Sequence, residues 1–129
     1  MTEVEQALRR EVARASRYGE TFSLLAIDAA PAPEVLDRVR DGVRLCDVVL
    51  AAGGDRIAVV LPETPLQGAL QVALRLAATW GRGGAAPEEP GPAVGVAVYP
   101  SPKVADARAL LAAAEAALGR ARAHRGVST

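Results

Sequence analysis

The sequence predicts an α+β fold, a mostly antiparallel sheet flanked by helices in the order αβαββαβα. Short apolar runs ("TFSLLAID", "DVVLAA", "RIAVVLP" and "AVGVAVYP") are too short for buried helices and read as strands. The longer segments between them repeat their apolar residues at helical spacing. Two of the runs are joined only by Gly53, Gly54 and Asp55, a corner short enough to demand a β-hairpin.

Each element has its own signal. Residues 2–18 open with Thr2 and Glu5 at capping-box spacing and carry Val4, Leu8, Val12 and Ala15 on one stripe, which predicts an amphipathic helix. Residues 21–28 form a strand covered on both faces, with Asp28 at its carboxyl end. A Pro-rich start leads into a helix from Pro33 to Cys46, whose stripe is Val35, Leu36, Val39, Val43 and Cys46; Cys46 is then a small core hydrophobe. The hairpin follows. Thr64 as cap and Pro65 at the first helical position introduce a helix over 64–80, with Leu66, Ala69, Leu70, Ala73, Leu76 and Trp80 inward. The Gly/Pro-rich stretch 81–92 reads as a flexible surface loop. A strand at "AVGVAVYP" and a closing helix with Leu110, Ala114, Ala117, Leu118 and Ala121 inward complete a two-layer sandwich of the ferredoxin-like kind.

The bulk composition limits what the chain can do. With 129 residues, half of them apolar, a single domain over residues 1–129 is expected. Fifteen Lys and Arg balance fifteen Asp and Glu, so no bulk field draws the chain to DNA, RNA or an anionic membrane. An anion site must therefore be local. Lys103 is the only lysine, and Arg favours planar, two-point recognition of phosphate or guanine. The lone cysteine, the charged start "MTEVEQALRR" and the lack of a long apolar run predict a cytoplasmic domain with no membrane span.

Four stretches together resemble the GGDEF domain family, which includes the diguanylate cyclases that condense two GTP molecules into cyclic di-GMP. "LRREVARASRYGETFSLLAID" is similar to that family's leading helix and first strand, and "RLCDVVLAAGGDRIAVVLPET" to its central motif. "VGVAVYP" resembles its SIGVA-type strand and "LLAAAEAALGRARAHRG" its closing helix. The resemblance implies a nucleotide-cyclase-like sheet and a bacterial second-messenger role. The departures from the family pattern are pointed. Gly53, Gly54 and Asp55 are followed by Arg56 and Ile57, where the family has Glu and Phe. "IDAAPAPEVLDRV" keeps Asp28, has Ala30 at the second acidic position and lacks the segment that grips guanine. The closing helix has Glu115 where the family has Asp, Gly119 where it has Tyr and Arg122 where it has Lys, and Arg122 is a candidate phosphate contact.

Asp28 and Asp55 are thus vestigial catalytic carboxylates, and no catalytic residue and no cofactor are expected. Phosphoryl transfer needs Mg²⁺ held by carboxylates, and Arg56 puts a fixed cation beside them. A simpler reading makes Asp28 a cap for the next turn and Gly53-Gly54-Asp55 a turn kept for its backbone geometry.

Arg44 and Asp47, three apart and with Asp47 six residues before Gly53, match the family's Arg-x-x-Asp inhibitory motif for cyclic di-GMP. Arg donates to guanine O6 and N7 or to phosphate, and a carboxylate accepts from the guanine N1 and N2 hydrogens. Arg75, at the place of a further family arginine, is the third candidate ligand, and Arg40 adds positive charge nearby. The alternative is a solvated helix-end ion pair. His124 and Arg125 read as a solvated helix terminus. The expected function is an inactive regulatory domain that binds cyclic di-GMP and contacts a protein partner or a second copy. Its alternative is a ligand-free dimerisation or interaction module; a GTP binder with residual cyclase activity ranks third.

Overall fold

The computed structural model describes residues 2–80, 91–124 and 126–129. Its elements are α1 (Glu3–Tyr18), β1 (Phe22–Ile27), α2 (Pro33–Asp41), β2 (Val48–Ala51), β3 (Ile57–Leu61), α3 (Leu66–Thr79), β4 (Val94–Tyr99), α4 (Ala107–His124) and β5 (Val127–Ser128). The strands form one five-stranded sheet in the order β2-β3-β1-β4-β5. All neighbours are antiparallel except β4 and β5, which run parallel across the α4 crossover. This is the expected α+β, nucleotide-cyclase-like fold, with one short strand more than the sequence announced. Two residues of β5 offer no periodicity to read.

Helices cover both faces of the sheet. On one, Phe22, Leu24, Ala58 and Val60 meet Leu8 of α1 and Leu110, Ala114 and Leu118 of α4. On the other, Leu25, Ile27, Ile57, Val59 and Val96 meet Val39 of α2 and Ala69, Ala73 and Leu76 of α3. Alternate residues of β1 feed the two cores, which is why the run is apolar without alternation and wholly buried. Helix α4 presses hardest on the sheet: a Cβ on Gly95 would lie 2.3 Å from the Leu118 nitrogen and 2.5 Å from the Ala114 carbonyl oxygen.

Local signals mostly act as expected. Thr2 caps α1, its hydroxyl accepting from the Glu5 N–H at 3.1 Å, and Gly19 closes that helix in the left-handed region. Pro33 begins α2. Gly53 takes φ +93°, and the Ala52 N–H bonds the Arg56 carbonyl to close the hairpin loop. Trp80 packs, half-buried, against the α3 core.

Two expectations need correction. Helix α2 ends at Asp41, not Cys46, and Cys46 is exposed rather than core. The Asp47 carboxylate accepts the Arg44 backbone N–H at 2.8 Å and the Asp47 N–H bonds the Arg44 carbonyl, so a local turn displaces further helix. Nor does Thr64 cap α3. The capping position falls to Pro65, which makes no side-chain cap bond. The expected loop at 81–92 lies, for residues 81–90, outside the described residues, as does Arg125; His124 is exposed at the end of α4.

The contact at Gly95 predicts that Gly95→Val, whose side chain has no space before α4, loses about 3 kcal/mol of stability in chemical denaturation. Gly119, with nothing within 4 Å of a Cβ, provides the contrast. Gly119→Ala is expected to gain up to about 1 kcal/mol by favouring the helix.

Candidate functional site

The glycine corner is closed by ion pairs. Asp28 follows β1 directly, its N–H donating to the Ala93 carbonyl at 3.0 Å. Its carboxylate does not cap a turn. It accepts a two-point fork from Arg122 of α4, Nε to Oδ2 at 3.1 Å and Nη2 to Oδ1 at 2.9 Å. Arg122 is therefore paired internally through Nε and Nη2. Arg56, just after the turn, pairs with Glu115 of α4, while its Nε is buried without a hydrogen-bond partner. The fork from Arg122 holds the Asp28 carboxyl below the usual carboxylate range, with a smaller contribution from the charge of Arg56. Asp55 sits exposed at the hairpin tip. Two cations thus meet Asp28 and Glu115 in a nearly neutral cluster that ties β1 and the hairpin to α4.

The Arg44 side of the molecule is built differently. Between α2 and β2 the chain turns through residues 43–47, and Arg44 lies along the carboxylate of Asp47. Arg44 Nη2 donates to Oδ1 at 2.9 Å and Nε to Oδ2 at 3.3 Å. Only 1% of the Asp47 side chain is exposed, against 54% for Arg44. The carboxylate is thus covered, not offered outward to a base edge, and the cation faces solvent. Nη2, with two hydrogens, shares them among Asp47 Oδ1, the Pro62 carbonyl at 2.9 Å and the Thr64 hydroxyl at 2.7 Å. Nη1 makes no hydrogen bond to the described residues. The hydrogen bond to Asp47, more than its charge, raises the Arg44 pKa from its ordinary value.

Arg75 extends from α3 to donate to the Gly42 carbonyl at 2.7 Å, satisfying the backbone at the end of α2. It and Arg44 line one concavity of about 620 Å³ with Arg38, Asp41, Gly42, Val43 and Thr79. Arg38, which also donates to the Trp80 carbonyl at 3.1 Å, was missed in the sequence. Its signal was its position on α2 one turn before Gly42. Arg40 does not line this concavity and pairs with Asp37 instead.

A five-stranded, mainly antiparallel sheet with a glycine hairpin at one end and an Arg-x-x-Asp turn ahead of it defines a nucleotide-cyclase-like signalling domain. The chain belongs to the GGDEF domain family: residues 33–127 match the family described as diguanylate cyclase, GGDEF domain. Among solved structures, it is similar to the isolated GGDEF domain of TpbB (YfiN) from Pseudomonas aeruginosa. The identity is 26%, over 95% of this chain and 84% of that one, with a TM-score of 0.78. The active GGEEF domain of a diguanylate cyclase from Vibrio cholerae shares the fold at 16% identity and TM-score 0.81, over 98% and 93% of the two chains. So does the GGDEF domain of DgcB from Caulobacter crescentus, solved in complex with c-di-GMP, at 15% identity and TM-score 0.78, over 96% and 86%. No curated protein matches the sequence. Among the described residues no helix is long and apolar enough to cross a membrane.

The Asp28 fork predicts a pH signature. A carboxyl whose folded pKa is depressed stabilises the fold above its unfolded value and loses that contribution as pH falls through the folded one. Because both partners are substantially exposed, the effect is modest. Asp28→Asn is expected to melt a few degrees below the wild type at neutral pH. The gap should close as pH drops below about 4, the unfolded value. A gap of constant size down to pH 2 would assign the loss to packing.

Proposed function

We propose that this GGDEF domain is a regulatory module that binds cyclic di-GMP at the Arg38, Arg44 and Arg75 concavity and does not make it. The observation that carries the reading is Arg44. Its guanidinium is fixed on one edge by a buried carboxylate and leaves Nη1 for a ligand, beside two further guanidinium groups. A pre-oriented arginine loses little freedom on binding, and a phosphodiester or a guanine Hoogsteen edge matches its fork. In this reading Arg44, Arg75 and Arg38 contact the dinucleotide, and Asp47 holds Arg44 in place. The complex of the DgcB domain with c-di-GMP supports the ligand class.

The inactivity rests on the glycine corner. A divalent ion between Asp28 and Asp55 would have to displace Arg122 from Asp28 and tolerate the guanidinium of Arg56. The residues present do not fit Mg²⁺. The segment that reads guanine in the family is also missing from 28–40, so a bound GTP would lack its positioning contacts.

A second reading, a docking module for a protein partner or a second copy, is favoured by Leu45 and Leu74, exposed apolar side chains next in sequence to Arg44 and Arg75.

Calorimetric titration with cyclic di-GMP tests the first reading. Heat of binding is expected for the wild type, with at least about a tenfold weaker Kd for Arg44→Ala and for Arg75→Ala. Absence of heat at high micromolar ligand would leave only the docking module, and sedimentation with and without ligand reports on that. Incubation with GTP and Mg²⁺ is expected to yield no cyclic product; its formation would overturn the reading of Arg56 and Arg122.

A further inference from the structure

We propose that Thr64 is the positioning residue that fixes the ligand-facing edge of Arg44, an inference that rests on reading the arginine concavity as an anionic-nucleotide site. Among the described residues, Thr64 and Ser23 are the polar residues buried over backbone and side chain together, 7% and 0% exposed. A buried hydroxyl must be accounted for. That of Thr64 is spent away from the helix it precedes: α3 starts at Pro65 with no side-chain cap.

The hydroxyl's roles are fixed by its neighbours. It donates its one hydrogen to the Pro62 carbonyl at 2.9 Å, so it meets Arg44 Nη2 at 2.7 Å as an acceptor. The Pro62 carbonyl accepts from the same Nη2 at 2.9 Å. Both acceptors sit on one tight corner, in which Glu63 takes φ +53°, a left-handed conformation uncommon for a residue with a side chain. Such backbone strain persists where surroundings hold it. Here the anchor is Ser23, whose hydroxyl donates to the Thr64 carbonyl at 2.7 Å and ties the corner to β1.

The consequence is geometric. Asp47 fixes the guanidinium along Nε and Nη2, yet both of its contacts come from the same turn 43–47 that Arg44 itself occupies. Thr64 and Pro62 add a contact from the other side, reaching across to the rigid sheet. With Nη2 shared between the two sides, the plane of the guanidinium is held from both, which leaves Nη1 as the edge without a hydrogen bond to the described residues, on a residue that lines the concavity. Remove the hydroxyl and Arg44 keeps its charge, its partner Asp47 and the Pro62 carbonyl, but loses the shortest of the contacts at Nη2 and with it part of its restraint.

Two substitutions test this. Thr64→Val keeps the shape and deletes the acceptor; Thr64→Ser keeps the acceptor. Titration with cyclic di-GMP is expected to show a Kd about tenfold weaker for Thr64→Val, and one within about twofold of wild type for Thr64→Ser. A fold defect would move melting temperature in both, whereas a positioning role is rescued by Ser. The ¹⁵N signals of the Arg44 side chain provide a readout that needs no ligand: restricted guanidinium rotation in wild type and in Thr64→Ser, and measurably faster rotation in Thr64→Val, where Asp47 and Pro62 remain. If wild type fails to bind while rotation still depends on Thr64, the receptor reading falls and the positioning role stands. If wild type binds and Thr64→Val binds equally well with unchanged rotation, the positioning role is overturned.

Discussion

The two-sided burial of β1 is the constraint on which both ends of the molecule depend. Phe22 to Ile27 has no solvent-facing side, so the strand cannot slip by even one residue without exchanging the sets that fill the two cores. Its ends are thereby fixed in space. At one end Ser23 holds the Thr64 corner beneath Arg44. At the other, Asp28 emerges beside Ala93 and meets Arg122. The close approach of α4 at Gly95 keeps the partner helix at the distance this second contact requires.

With no net charge on the chain, any attraction for an anion comes from local imbalance. The glycine corner has little imbalance, since Asp28 and Glu115 each hold one guanidinium. The concavity on the other side has more. Arg38, Arg44 and Arg75 line it with Asp41 as the acidic residue of the rim, and the carboxylate of Asp47 is buried under Arg44. A positive surface backed by a buried negative charge is a reasonable place for a phosphodiester, because the partner that orients the cation does not repel the ligand from the open side.

Much of this was legible in the sequence because the signals were local. The Thr2 cap, Pro33, the Gly53 hairpin and the apolar run of β1 each act within a few residues. Arg44 and Asp47 were picked out by the resemblance to the family's Arg-x-x-Asp motif, and Arg75 by the place of a further family arginine. What was not legible depends on contacts made through space. The periodicity of α2 runs on through Val43 to Cys46, and only the carboxylate of Asp47, turning back on the Arg44 N–H, breaks it. Thr64 next to Pro65 has the look of a helix cap, and nothing nearby in the chain says that its hydroxyl faces an arginine twenty residues earlier. Likewise, Asp28 and Arg122 lie 94 residues apart, and either alone suggests a cap or a phosphate contact.

The two arginine forks in this fold have the same chemistry and opposite consequences. Arg122 on Asp28 and Arg44 on Asp47 are both two-point pairs through Nε and Nη2. For Asp28 to hold a metal ion its carboxylate would have to be freed, so a ligand there competes with the pair and must repay its disruption. For Arg44 to hold an anion nothing need be broken: the ligand adds to the free edge while the buried carboxylate keeps the other edge in place. An internal ion pair therefore blocks a site when the ligand needs the acid and prepares one when the ligand needs the base.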